Sequence, residues 1–130
     1  MDERIEKFLS SSAFGVVGAS TDRSKYGNKV LRCYLQHGKK AIPVHPRETE
    51  VEGIPAVKSV SELPPEAASI SIITPPAVTE KIVEEAIARD IRNIWMQPGA
   101  ESAKAVETCR AQGINVIGDG SCLLVELGCH

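Results

Sequence analysis

Aromatic residues are scarce in this chain, at 4% of 130 residues, and no block of Lys and Arg disturbs a near-even balance of 15 basic against 17 acidic side chains, net −2. Nucleic acid is held by aromatic stacking platforms and positive patches, so it is excluded as a partner. No apolar run approaches the roughly 20 residues of a bilayer span. The opening MDERIEKFLS carries charge where a secretory leader would be apolar. A cytoplasmic protein that meets no membrane is expected. The four cysteines, Cys33, Cys109, Cys122 and Cys129, lack Cys-x-x-Cys pairing, so reduced, unpaired thiols are expected rather than a disulfide framework. Cys122, Cys129 and His130 match zinc-site spacing poorly, and no metal is assigned to them.

What is present is ordinary globular material, 42% hydrophobic and 25% charged, enough for one domain over residues 1–130 with a real core. Ile5, Phe8 and Leu9 fall at helical spacing behind Asp2, a cap residue, which predicts a short helix over 2–10. Five short apolar runs follow: Ala13–Gly18, Ala41–Val44, Ser69–Thr74, Asn93–Gln97 and Ile114–Gly118. Continuous rather than alternating runs of this length suit strands covered on both faces. Between them lie helical periods at Val30, Leu31, Tyr34 and Leu35, then Val78, Ile82, Val83, Ala86 and Ile87, then Ala103 and Val106, closed by Gly113. His37, beside Gly38, reads as a helix C-terminal residue. Residues 47–68 are too broken for a crossover helix, and a short extra strand or a helical turn is expected there. The alternation predicts an α/β, Rossmann-like three-layer fold: a parallel sheet of about five strands with helices on both faces.

Ligands of such sheets bind beyond the carboxyl ends of the strands, where strand order reverses. That rule gathers five loops on one rim: Gly18-Ala19-Ser20, His45-Pro46-Arg47, Thr74-Pro75-Pro76, Gln97-Pro98-Gly99 and Asp119-Gly120-Ser121-Cys122. The first loop continues through Lys25 and Tyr26 into a helix, whose free N–H groups and positive end suit a phosphate. The dinucleotide fingerprint G-x-G-x-x-G is absent, because Ser20 stands where its second glycine belongs. At the end of the second strand NAD sites offer a carboxylate to the ribose, whereas this chain offers His45-Pro46-Arg47. Cationic groups there suit a phosphorylated ribose, which points to coenzyme A or NADP.

With those residues on view, the chain resembles the small single-domain CoA-binding proteins similar to the amino-terminal domain of the succinyl-CoA synthetase alpha subunit. The likeness runs from about Phe8 to Glu126 and rests on Gly18-Ala19-Ser20 with Lys25-Tyr26-Gly27, Pro43-Val44-His45-Pro46, Glu52-Gly53, Trp95-Met96-Gln97-Pro98-Gly99-Ala100, and Gly113 ahead of Gly118-Asp119-Gly120-Ser121-Cys122. It departs from the family at His45, where asparagine is more usual, and at Gly120-Ser121, where a charged pair often precedes the cysteine. The resemblance implies coenzyme A as the cofactor, its diphosphate near Gly18, Ala19 and Ser20 and its adenosine by Val44 and Pro46. Lys25 and Arg47 are then candidate phosphate partners, Thr74, Pro75 and Pro76 lie along the nucleotide or pantetheine, and Gln97 and Cys122 sit deeper.

The related synthetases carry their phosphohistidine on a second domain, which this length does not accommodate. No triad is recommended by His37, His45 or His130. The sequence therefore favours non-catalytic binding of CoA or acyl-CoA, as a carrier, sensor or regulatory module. The alternative is a small NADP-dependent or thiol-based enzyme using the same crevice, with Cys122 its one candidate nucleophile. An empty rim serving only protein interaction is a third reading. A homodimer and a protein partner both stay open at this point.

Overall fold

Asp2 starts the first helix by accepting a hydrogen bond from the Arg4 backbone N–H at 2.8 Å, and α1 then runs Glu3–Leu9 with Ile5 and Phe8 buried. The computed structural model describes residues 2–129. Five parallel strands follow: β1 (Ala13–Val17), β2 (Lys40–Val44), β5 (Ala67–Ile72), β6 (Asn93–Met96) and β7 (Asn115–Ile117). They are joined by α2 (Tyr26–Gln36), α3 (Pro76–Ala88) and α4 (Ala103–Ala111), and the chain closes with the one-turn α5 (Leu123–Glu126). The sheet order is β2-β1-β5-β6-β7, so the order reverses between β1 and β5. The expected α/β, Rossmann-like fold is the fold observed.

Strand ends differ from the sequence reading for backbone reasons. β5 starts two residues early, at Ala67, because Ala13 of β1 pairs with it; alanine alone carries no strand signal. β5 stops at Ile72 rather than Thr74, although the Ile73 N–H still reaches Val17 O at 2.8 Å. Pro75 and Pro76 have no N–H with which to continue the ladder, and Pro76 instead opens α3. The irregular 47–68 stretch holds both devices that were expected as alternatives. A two-stranded antiparallel ribbon pairs β3 (Glu50–Val51) with β4 (Ile54–Pro55), and a 3-10 turn spans Val60–Glu62.

The sheet is covered on both sides, which is why its strands read as continuous apolar runs. On β1 the faces alternate: Phe14 and Val16 pack with Ile5, Phe8, Leu31, Tyr34, Trp95 and Leu123, while Ala13 and Val17 face Val83, Ala86, Ala105 and Cys109 of α3 and α4. The polar groups inside are paired. Tyr34 Oη and Ser71 Oγ lie 2.6 Å apart, Ser69 Oγ donates to Phe8 O at 2.8 Å, and Asn115 Nδ2 donates to Arg4 O at 2.9 Å. No buried side-chain N or O among the described residues lacks a partner.

The thiol expectation is corrected. Cys33, on the inner side of α2, is disulfide-bonded to Cys129 beyond α5, with Cα atoms 5.9 Å apart. The two lie 96 positions apart, and only the packing of the chain end against α2 brings them together. Cys109 and Cys122 are free. Of the described helices, none is long and apolar enough to cross a membrane.

Candidate functional site

Gly18 lets β1 turn onto the rim. Its φ of +95° is one that side chains rarely adopt, and a Cβ there would stand 2.2 Å from Ile73 O. Gly27, in the first turn of α2, lies so close beneath that loop that a Cβ would fall 2.0 Å from Gly18 O. These two glycines bring the N-terminus of α2 against the ends of β1 and β5. Lys25 is the N-cap residue of α2, extended and without a side-chain cap bond, and no acidic residue occupies the first turn. The N-terminus of α3 is similar, with Pro75 as N-cap and no acid in its first turn.

Between these two helix starts lies an open cleft of about 700 Å³, a size typical of small-molecule sites. Gly18, Ala19, Ser20, Lys25, Tyr26, Val44, His45, Pro46 and Thr74, all singled out from sequence, line it. Arg47, Pro75 and Pro76 are exposed residues beside the cleft and not part of its wall. Gln97 and Cys122 line a separate recess with Ile73 and Pro98, reached past Tyr26, which borders both cavities.

His45 is already engaged. Its Nδ1 accepts from the backbone N–H groups of Arg47 at 3.0 Å and Glu48 at 2.9 Å, which fixes Nδ1 as an acceptor and leaves Nε2 as the ring nitrogen able to face a ligand. Gln97 is 2% exposed and braces the chain rather than the solvent: its Oε1 accepts from Leu123 N at 2.8 Å, and its Nε2 points to Cys122 Sγ at 3.4 Å. Thr74 is tied to Thr79 of α3, with hydroxyl oxygens 2.8 Å apart. Ser20 Oγ accepts from Asp22 N at 3.0 Å, and Asp22 in turn caps the Ser24 N–H, so the loop after β1 is held by its own side chains.

Sequence reasoning missed Lys58, Ser59, Val78, Ile82 and Glu85 on the cleft wall. Lys58 and Ser59 arrive there because Val57 bridges to Val44 alongside β2, with His45 N donating to Val57 O at 2.9 Å. Nothing local in the irregular 47–68 stretch announces that pairing. Val78 belongs to the apolar period read from sequence for α3, yet the structure leaves it 42% exposed at the rim, like Tyr26 at 58%. Of Cys122, Cys129 and His130, weighed from sequence as a zinc grouping, Cys129 bonds Cys33 and His130 lies outside the described residues.

A family model described as a CoA binding domain matches residues 12–128. The chain belongs to that family. It is 27% identical over 125 residues to the alpha subunit of ADP-forming acetate–CoA ligase II from Pyrococcus furiosus, covering 88% of this chain and 27% of that protein. It is 26% identical over 124 residues to ADP-forming acetate–CoA ligase I from Archaeoglobus fulgidus, covering 88% and 18%. The CoA-binding-domain chain thus spans about a quarter or less of these curated relatives. Among solved structures, a conserved hypothetical protein from P. furiosus superposes with a TM-score of 0.84 at 35% identity, covering 88% of this chain and 97% of the other. A Thermus thermophilus protein does so with a TM-score of 0.86 at 27% identity, covering 97% and 96%. The likeness to succinyl-CoA synthetase alpha subunits noted from sequence fits this family, through the acetate–CoA ligase alpha subunits.

Proposed function

We propose that this CoA-binding-domain protein holds coenzyme A, free or acylated, in the cleft between α2 and α3 and does no chemistry on it, acting as a carrier, sensor or regulatory module. The observation that carries the reading is the cleft's position at the strand-order reversal, between two helix N-termini that no side chain caps. Such termini offer N–H groups and positive potential to a diphosphate. Lys25 and Lys58 add cationic charge, and Tyr26, Ile73, Val78 and Ile82 supply apolar wall for adenine and pantetheine. The relatives' names join them to acetate and CoA, consistent with CoA as the shared ligand.

The binding-only reading rests on what faces the cleft. His45 spends Nδ1 on two backbone donors, no carboxylate or hydroxyl among the described residues bonds it, and the thiol of Cys122 opens into the neighbouring recess instead. Neither NADP reduction nor thiol catalysis has an assembled set of groups there.

Thermal unfolding of the dialysed protein with CoA, acetyl-CoA, dephospho-CoA, NAD and NADP in excess tests the reading, because a ligand that binds only the folded state raises its stability. A rise in Tm with CoA and acetyl-CoA, smaller with dephospho-CoA and absent with NAD, is expected. A rise with NADP alone, or with none of them, overturns it.

A further inference from the structure

Toward the C-terminal end of α2, away from the Gly18 loop that meets its N-terminus, Cys33 and His37 stand one helical turn apart on one face, and Cys129 reaches them from beyond α5. One ligand atom from each of these three residues can be chosen so that all lie within 4.8 Å of one another. His37 Nδ1 is 3.7 Å from Cys129 Sγ and 3.0 Å from Cys33 O. We propose that Cys33, His37 and Cys129 form a Cys2His site for a thiophilic closed-shell cation, tested here as Zn²⁺, that exists only when their disulfide is reduced.

The chemistry of the three groups supports this. Zinc binds thiolate sulfur at about 2.3 Å and imidazole nitrogen at about 2.0–2.1 Å, so ligand atoms around it stand roughly 3.5–3.8 Å apart. His37 Nδ1 stands at that distance from Cys129 Sγ; in the oxidised form it donates its proton to Cys33 O at 3.0 Å, so ligation moves that proton to Nε2 and frees the Nδ1 lone pair. The two sulfurs are closer than that, because they are bonded to each other. Reduction by a dithiol removes the obstacle: the dithiol's two sulfurs join as its own disulfide, the Cys33–Cys129 bond breaks, and each protein sulfur takes one proton. Zn²⁺ then displaces those two protons, giving a neutral dithiolate–zinc unit completed by His37.

The surroundings permit it. His37 is exposed at the C-cap of α2 and can turn about its side chain, and Cys129 follows Gly128, whose φ is +71°, at the end of the described chain. Cys129 also lines an open recess of about 240 Å³ with Tyr26, Lys29, Arg32, Gln36 and Leu124, through which an ion can approach its sulfur. Oxidised and zinc-loaded forms would clasp the chain end to α2 by the same residues, and the reduced, metal-free form would release it.

The test uses the full chain, reduced with a dithiol, freed of reductant under argon and titrated with Co²⁺ and Zn²⁺. The expected result is one tightly bound equivalent, with a thiolate-to-cobalt charge-transfer band and tetrahedral visible bands that Zn²⁺ displaces, and two protons released per zinc. Cys129→Ser and His37→Gln, neither at a fully buried position, should each weaken binding more than tenfold, Cys122→Ser should leave it unchanged, and the oxidised protein should bind none. Binding by the oxidised protein, loss of binding in Cys122→Ser, or no effect of His37→Gln overturns the proposal.

Discussion

At the scale of single residues, Gly27 has the most restrictive surroundings. A Cβ there would meet Gly18 O at 2.0 Å, so alanine must push α2 off the loop after β1. Helix propensity alone favours alanine by up to about 1 kcal/mol, yet forced overpacking costs about 1–3 kcal/mol. Gly27→Ala should therefore lower the denaturation midpoint and weaken CoA together; an unchanged midpoint would contradict the close approach. Lys58 makes a second residue-scale case. It lines the cleft while Arg47 does not, and charge-assisted hydrogen bonds are worth about 1.5–3 kcal/mol. Lys58→Ala should raise the CoA Kd about tenfold by calorimetry, more than Arg47→Ala does; the reverse order would move the phosphate to the loop after Pro46. The free thiols differ by burial. Cys109 is buried, and that burial pushes its thiol up to about 11, so at pH 8 it is almost wholly protonated and inaccessible. Alkylation of the folded, unreduced protein should stop at one label, on Cys122, with four only after reduction and unfolding; rapid labelling of Cys109 would refute its packing against the sheet.

At the scale of elements, α1 is fastened to the loop after β7. Arg4 bridges Asp2 at 3.0 Å and Asp119 at 2.7 Å, and the Asp119 carboxyl also accepts from Ser121 N and Oγ. The Arg4 side-chain hydrogen bond first, then the Ser121 bonds, hold the Asp119 carboxyl well below the usual carboxylate range. A carboxyl lowered on folding adds stability that is fully present above its unfolded value of about 3.9 and is lost as pH falls through the folded value. Both partners are more than a third exposed, so solvent screening limits the effect to below about 1 kcal/mol. Arg4→Ala should thus cost little at pH 7 and still less at pH 2, with the gap closing below pH 4 in denaturant titrations. A gap at pH 2 as large as the one at pH 7 would mean that Arg4 acts by packing rather than charge. The same loop shows what element-level patterning conveys and what it leaves out. Asp119-Gly120-Ser121 reads from sequence as a turn on the rim, and it is one; its partner Arg4 is 115 positions away, and a helix-face charge gives no hint of that contact. Lys58 behaves likewise, because the Val57–Val44 bridge depends on how the β3–β4 ribbon folds back, and a stretch without periodicity carries no register.

At the scale of the whole molecule, the layers were legible because burial on both faces writes itself into the strands as uninterrupted apolar runs, and the cleft because a parallel sheet dictates where its ligand loops gather. The disulfide was not legible, since it joins two residues that only the finished packing of α5 on α2 brings near. Its energetic role follows from the same separation. Crosslinking across a loop of about 100 residues removes unfolded-state entropy worth up to about 4.7 kcal/mol at 25 °C, and the Cys33–Cys129 separation of 96 lies close to that length. A bond between α2 and the residues after α5 encloses β2 through β7, so the effect falls on global unfolding rather than on one loop. Reduced protein should unfold in one cooperative step at a clearly lower guanidinium midpoint than oxidised protein, with a larger m-value because its denatured chain is less constrained. Cys33→Ala should match the reduced protein whether or not reductant is present. Equal midpoints for the oxidised and reduced forms would show that the chain end is held to α2 by packing alone, with the Leu123 and Leu124 contacts sufficient for the clasp.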